Sequence, residues 1–231
     1  MSLLCAFVAV SALLFVSRNL TGKQNVEHPF LEPGDIKSET CLGCHAEKNQ
    51  GKFVHTAVLS GCESCHVASS EDEKTSMTLL APAGELCLMC HEVKEQPVMH
   101  GPYKRAQCLT CHDPHNSGFA AVTRAEPNTL CMSCHGTNQP EVRIDREARL
   151  VTVLGNQSLT FEEYASAGKI PLDRTGTRGH PIMGHPIVGR DPRNREEPMN
   201  CLSCHLSHGS EAKKLVRESK SEIGLCGDCH Q

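Results

Sequence analysis

The sequence predicts a mainly irregular chain with short α-helices and little β structure, packed around something other than its own side chains. Three observations predict this. The 231 residues include no Trp, two Tyr and six Phe, so the side chains that usually fill a core are scarce. Eighteen Gly and 13 Pro interrupt any long helix or strand. Fifteen Cys and 14 His recur in a pattern along the chain. The formal charge of −4 is mild and argues against nucleic acid as a partner.

Residues 1–24 come first. MSLLCAFVAVSALLFV is apolar through residue 16, and SRNLTGKQ after it is polar. A membrane span needs about 20 apolar residues, so this run is short for one and fits the apolar part of an export signal. A retained N-terminal anchor is the competing reading. Arg18 is the first basic residue, and Ala9-Val10-Ser11 is the best small-x-small cleavage site. Cys5, inside the run, reads as a small hydrophobe.

Every other cysteine belongs to one of seven C-x-x-C-H segments: 41–45, 62–66, 87–91, 108–112, 131–135, 201–205 and 226–230. This is the attachment signature of c-type haem. Two thiols three residues apart add to the two vinyl groups of one porphyrin, and the next residue brings an imidazole to the iron from the same side. The covalent anchors are therefore Cys41 and Cys44, Cys62 and Cys65, Cys87 and Cys90, Cys108 and Cys111, Cys131 and Cys134, Cys201 and Cys204, and Cys226 and Cys229. The proximal ligands are His45, His66, His91, His112, His135, His205 and His230. Zinc sites and disulfides also use C-x-x-C, but neither requires a histidine behind the second cysteine every time.

Seven histidines remain: His28, His55, His100, His115, His180, His185 and His208. Their number matches the motifs, and a second imidazole can fill the far axial position of each iron. Order along the chain suggests a rule. The first motif of each pair takes a histidine upstream of it: His28, His115 and His208 for motifs one, five and seven. The second takes the histidine between the motifs: His55 and His100 for motifs two and four, and His180 or His185 for motif six. Motif three is the misfit. Its ligand is expected near Ser69, where no histidine stands, so it either borrows the spare of His180 and His185 or stays open. Met77, Met89, Met99, Met132, Met183 and Met199 are read as packing against porphyrin rather than as thioether ligands.

The motifs fall into repeats. Residues 39–70 and 85–118 each run motif, histidine, motif, with the paired motifs 21 residues apart. A third unit starts at 130 and closes at 210 with its middle stretched, and a half unit follows. This divides the chain into a four-haem region, 25–120, and a three-haem region, 121–231, with a long insert at 136–200. Within the insert, Thr160…Glu163 predicts a capped helix over 160–167, and Gly155-Asn156 predicts a hairpin over 148–160. Short helices are expected at several motifs. SSEDEKTS (69–76) and GRDPRNREEP (189–198) are expected to be solvated loops.

The paired motifs, the CHDPHNSG and CHLSHGS endings and the GHPIMGHP run resemble the doubled-CxxCH multihaem cytochromes c, from about His28 to Gln231. The missing histidine near Ser69 and the long third insert depart from the pattern. The resemblance implies a multihaem cytochrome c built around a packed haem array. It also implies electron transfer through bis-histidine haems in the periplasm or outside the cell.

Seven covalently bound haem c groups, each closed on both faces, would pass electrons without transforming a substrate. The expected protein is an electron carrier of anaerobic respiration, exported, with other redox proteins as donor and acceptor. One competing reading is a multihaem reductase of a small nitrogen or sulfur oxyanion with one open iron. Another is a subunit of a conductive cytochrome filament or a membrane redox complex.

Overall fold

The computed structural model describes residues 28–137, 139–170, 185, 187–218 and 224–230. Residues 1–24 and His180 lie outside them, as does Met183. The described chain is mostly irregular, with short helices and small antiparallel sheets. The helices are α1 (Ser38–Cys44), α2 (Thr56–Ser60), α3 (Ala83–Leu88), α4 (Gly101–Lys104), α5 (Pro127–His135), α6 (Phe161–Ser166) and α7 (Cys201–Cys204). The strands are β1 (Phe53–Val54), β2 (His66–Glu71), β3 (Lys74–Leu79), β4 (Val98–Met99), β5 (Asn116–Ser117), β6 (Arg143–Asp145), β7 (Leu150–Val153), β8 (Gln157–Thr160) and β9 (Gly209–Ser210).

Two miniature ladders tie successive repeats together. β1 of the first unit pairs antiparallel with β5 at the end of the second. β4 of the second unit pairs in the same way with β9 at the end of the third. Each strand is two residues long, too short to be stable alone. These ladders therefore register the units rather than form a core.

The stretch expected as a solvated loop at 69–76 is instead most of the β2–β3 hairpin, six residue pairs in register from His66↔Leu79 to Glu71↔Lys74. Its two-residue turn places Asp72 at φ 49° and Glu73 at φ 57°. Two consecutive left-handed residues match the right-handed twist of the flanking strands. Charge at the tip hid a strand pattern: Thr75 is buried, accepting from the Leu31 amide and bonded to the Ser70 hydroxyl. The 189–198 stretch also departs from a fully solvated loop. Asp191 is buried beneath Arg193, which donates to its carboxylate, while most of its neighbours are exposed.

The expected elements of the insert are present. β7 and β8 form the hairpin across Gly155, and β6 adds a third strand. α6 starts with a capping box: the Thr160 hydroxyl accepts from the Glu163 amide, and the Glu163 carboxylate accepts from the Thr160 amide. Val151, Val153 and Leu159 form the one buried apolar cluster among the described residues, with Val142, Phe161, Tyr164 and Cys134 packed against it. Elsewhere large apolar side chains stay exposed beside the motifs: Leu59, Leu79, Leu88 and Met89.

Candidate haem sites

Each motif sits on a single helical turn, for a geometric reason. One turn places residues three apart on the same face, so both thiols point the same way. Motifs one, three, five and six begin or lie on α1, α3, α5 and α7, and motifs two, four and seven on the 3₁₀ turns Cys62–Ser64, Cys108–Thr110 and Leu225–Asp228. The turn closes when the motif histidine's amide donates to the carbonyl of the first cysteine, 2.9 Å away for His45, His91, His205 and His230 and 3.0 Å for His112. That bond carries the imidazole over the thiol pair.

Among the described residues six pairs of imidazoles face each other, each made of one motif histidine and one other. Ring centres are 6.4 Å apart for His28 and His45, 6.1 Å for His115 and His66, and 5.9 Å for His55 and His91. They are 6.1 Å apart for His208 and His112, 6.0 Å for His100 and His135, and 6.1 Å for His185 and His230. A metal–imidazole bond is about 2 Å and the ring centre lies about 1 Å behind the nitrogen, so one ion between two imidazoles sets their centres about 6 Å apart. The pairs therefore fit an iron between them. Among the described residues no three His, Cys, Asp or Glu side chains converge as a closed zinc site would require.

His28 faces motif one, as chain order suggests, and the other pairs differ. His185 faces motif seven rather than motif six or three. His55 faces motif three rather than motif two, His115 motif two rather than five, His100 motif five rather than four, and His208 motif four rather than seven. Motif three, expected to be the misfit, is faced by His55. The ladders are the physical reason. The His55 amide donates to the His115 carbonyl at 2.8 Å, and the His100 amide to the His208 carbonyl at 2.8 Å. In both ladders the two histidines stand side by side at the seam between units, and they serve motifs on opposite sides of it. The middle histidine of one unit points forward to the next unit's first motif. The trailing histidine of the C-H-x-x-H ending points back to the preceding unit's second motif. A histidine at 69 would by this logic face backward, not toward motif three.

His55 and His100 have nearly the same backbone angles, φ −65° with ψ 132° and 134°, and each stands at the N-cap position of the short helix that follows. Tyr103 stacks on His208 at 4.4 Å, and its hydroxyl accepts from the Lys94 amide at 3.0 Å. Burial holds His100, His115 and His208 below the usual imidazole range, in the neutral form that has a lone pair for a metal.

The thiols mark the order of the sites. Within pairs the first cysteines are neighbours: Cys41 with Cys62, Cys87 with Cys108, and Cys131 with Cys201. Between pairs Cys65 lies near Cys87, Cys111 near Cys134, and Cys204 near Cys229. The motifs thus follow one another in space as they do in sequence. Burial, then proximity to Cys134, pushes the Cys111 thiol up to about 11. Cys131 is raised chiefly by hydrogen bonding to Cys201, which is lowered in turn.

Among the described residues three motif imidazoles are anchored from behind by a backbone carbonyl, a set the sequence reading missed. Nδ1 of His112 lies 2.8 Å from the Ala121 carbonyl, that of His135 2.8 Å from Gly168, and that of His205 2.9 Å from Lys214. The Gly168 carbonyl belongs to the insert, where Lys169 lies 3.3 Å above the Tyr164 ring. For His112 and His205 the surroundings are duplicated. Arg124 Nε donates to the Leu109 carbonyl at 2.8 Å, and Arg217 Nε to the Leu202 carbonyl at 2.9 Å. Aligning 108–124 with 201–217 finds the signal as C-x-x-C-H-x-x-H-x-S-x₆-R.

The doubled CXXCH motif model matches residues 55–96, 100–140 and 192–231. The first two stretches open on His55 and His100, and each contains the motif that its histidine faces. The chain is also 24% identical over 152 residues to Dickkopf-related protein 4 of Homo sapiens, which covers 64% of this chain and 65% of that one. The chain spans less than two thirds of that relative's length, and at this identity the likeness assigns no family. The CXXCH motifs mark covalent haem c attachment, and since the matched stretches make up more than half of its length, the chain belongs to the doubled CXXCH motif family of multihaem c-type cytochromes.

Proposed function

We propose that the protein is a heptahaem cytochrome that carries electrons along a line of bis-histidine haems. The observation that carries this reading is the six facing imidazole pairs with ring centres 5.9 to 6.4 Å apart, each pairing a motif histidine with a non-motif one. An iron porphyrin between two imidazoles exchanges one electron with little rearrangement and has no open position for a substrate. The chain's own part is to fix fourteen thioether anchors, orient the rings and set the order of the sites. His55 faces motif three, which supports a second imidazole at the site that chain order left without one. The exposed Leu59, Leu79, Leu88 and Met89 beside the motifs supply apolar surface for porphyrin faces to cover.

The apolar start of the sequence and the demands of covalent haem attachment favour export to the periplasm or cell surface, free or held by the N-terminus. There the partners would be a donor and an acceptor protein of an anaerobic respiratory chain. Assembly into a membrane complex or a homopolymer is compatible with the same chemistry. Intact mass and the pyridine haemochrome spectrum of the purified protein test the reading. Seven covalent haems per chain are expected; a protein without covalent haem would overturn it.

A further inference from the structure

We propose that Arg124 and Arg217 are positioning residues that lock the carbonyls behind the proximal imidazoles of haems four and six. The inference rests on the cytochrome reading above and goes beyond it. Residues 112–124 and 205–217 form the same closed loop twice. In each, the arginine's own amide returns to the motif, Arg124 to the Cys111 carbonyl and Arg217 to the Cys204 carbonyl, both at 2.9 Å. Its Nε then caps the carbonyl of the residue after the motif's first cysteine, Leu109 or Leu202. Arg124 also reaches the Asp113 carboxylate at 3.3 Å. A serine clamps the loop from within. Ser117 donates to the Thr123 carbonyl and accepts from the Phe119 amide, and Ser210 does the same with Val216 and Ala212.

What the clamp holds is a strained turn. Ala121 and Val122 sit at φ 54° and 49°, and Lys214 and Leu215 at 60° and 57°. None is glycine, and a β-branched valine in this region is an outlier that persists only when its surroundings enforce it. The first residue of each strained pair supplies the carbonyl that meets the imidazole: Ala121 for His112 and Lys214 for His205. A ligating histidine whose far N–H is held by a carbonyl has its ring plane fixed and its basicity raised, which favours ferric iron. Among the described residues His45, His66 and His91 have no such bond. Haems four, five and six are therefore lowered in potential relative to haems one to three, and four and six form a matched pair whose carbonyls are held by arginines bonded to the backbone rather than to the imidazole.

The test is R124A in the mature holoprotein, read by a redox titration resolved by magnetic resonance and by solvent exchange of the His112 Nδ1–H. We expect haem four alone to titrate at a more positive potential and the His112 Nδ1–H to exchange at least tenfold faster. The other sites should be unmoved, and R217A should do the same at haem six. Should R124A fail to mature, S117A loosens the same turn with the arginine in place and carries the same expectation. Full haem content with an unchanged haem-four potential and exchange rate, in R124A or in S117A, overturns the proposal. Wild-type protein without covalent haem overturns the cytochrome reading instead.

Discussion

His55 and His115 are hydrogen-bonded neighbours that face different motifs, so single substitutions there should separate by site. H115A is expected to convert one iron, that of motif two, to a high-spin or imidazole-rescuable form while motifs four and five stay low-spin. Magnetic resonance with and without added imidazole checks this. H55A should do the same at motif three. The relative ring planes give a second handle: His66 and His115 are nearly parallel at 6°, whereas His185 and His230 are crossed at 82°. The splitting of iron d-orbitals depends on that angle, so motifs two and seven should give distinct low-spin signals, and H115A should remove the parallel type. The C-x-x-C-H segments were legible in the sequence because haem attachment fixes residue type and spacing. The pairing was not. It is decided by which strands meet at the seam, and two-residue strands such as Val98–Met99 and Gly209–Ser210 carry no periodic pattern to read.

Among the elements, the insert behaves most like an ordinary domain. Val153 is fully buried, and V153A is expected to cost about 2 kcal/mol of local stability, from two lost methyl contacts and the cavity left behind. A denaturant midpoint followed by circular dichroism measures it. Because the insert's Gly168 carbonyl meets His135, the same change should also disturb the motif-five signal. Glu163 links α6 to pH. The Thr160 amide, then the Gln107 side chain, hold its carboxyl below the usual carboxylate range. Its folded value is depressed, so its stabilisation is present above the ordinary value of about 4.3 and is lost as the pH falls through the lower folded one. Acid should fray α6 in the wild type, and E163Q should weaken that pH dependence. This hairpin and helix were readable from Gly155 and the Thr160…Glu163 box. The β2–β3 hairpin was not, because Glu71, Asp72, Glu73 and Lys74 at its tip look like a solvated loop and outweigh the alternation of Ser70, Thr75 and Met77.

Among the described residues neighbouring units exchange histidines, His55 and His115 across one seam and His100 and His208 across the next. The frame of the family match, with His55 ahead of motifs two and three and His100 ahead of motifs four and five, is offset by one motif from the pairs that spacing alone suggests. That offset is why His55 and His100 each face the motif after the one that spacing suggests. A chain braced in this way, with one small apolar cluster among the described residues, is expected to depend on covalent haem for most of its order. Protein produced without haem attachment is expected to lose structure everywhere except around 143–166, as hydrogen exchange would show. The proposed ligation places each iron between two imidazoles, most of them contributed by different units. Near-infrared magnetic circular dichroism of the oxidised holoprotein, scaled to haem content, tests it most directly. Bis-imidazole ligation should account for at least six irons. A thioether–imidazole or high-spin signal from two or more irons would contradict it.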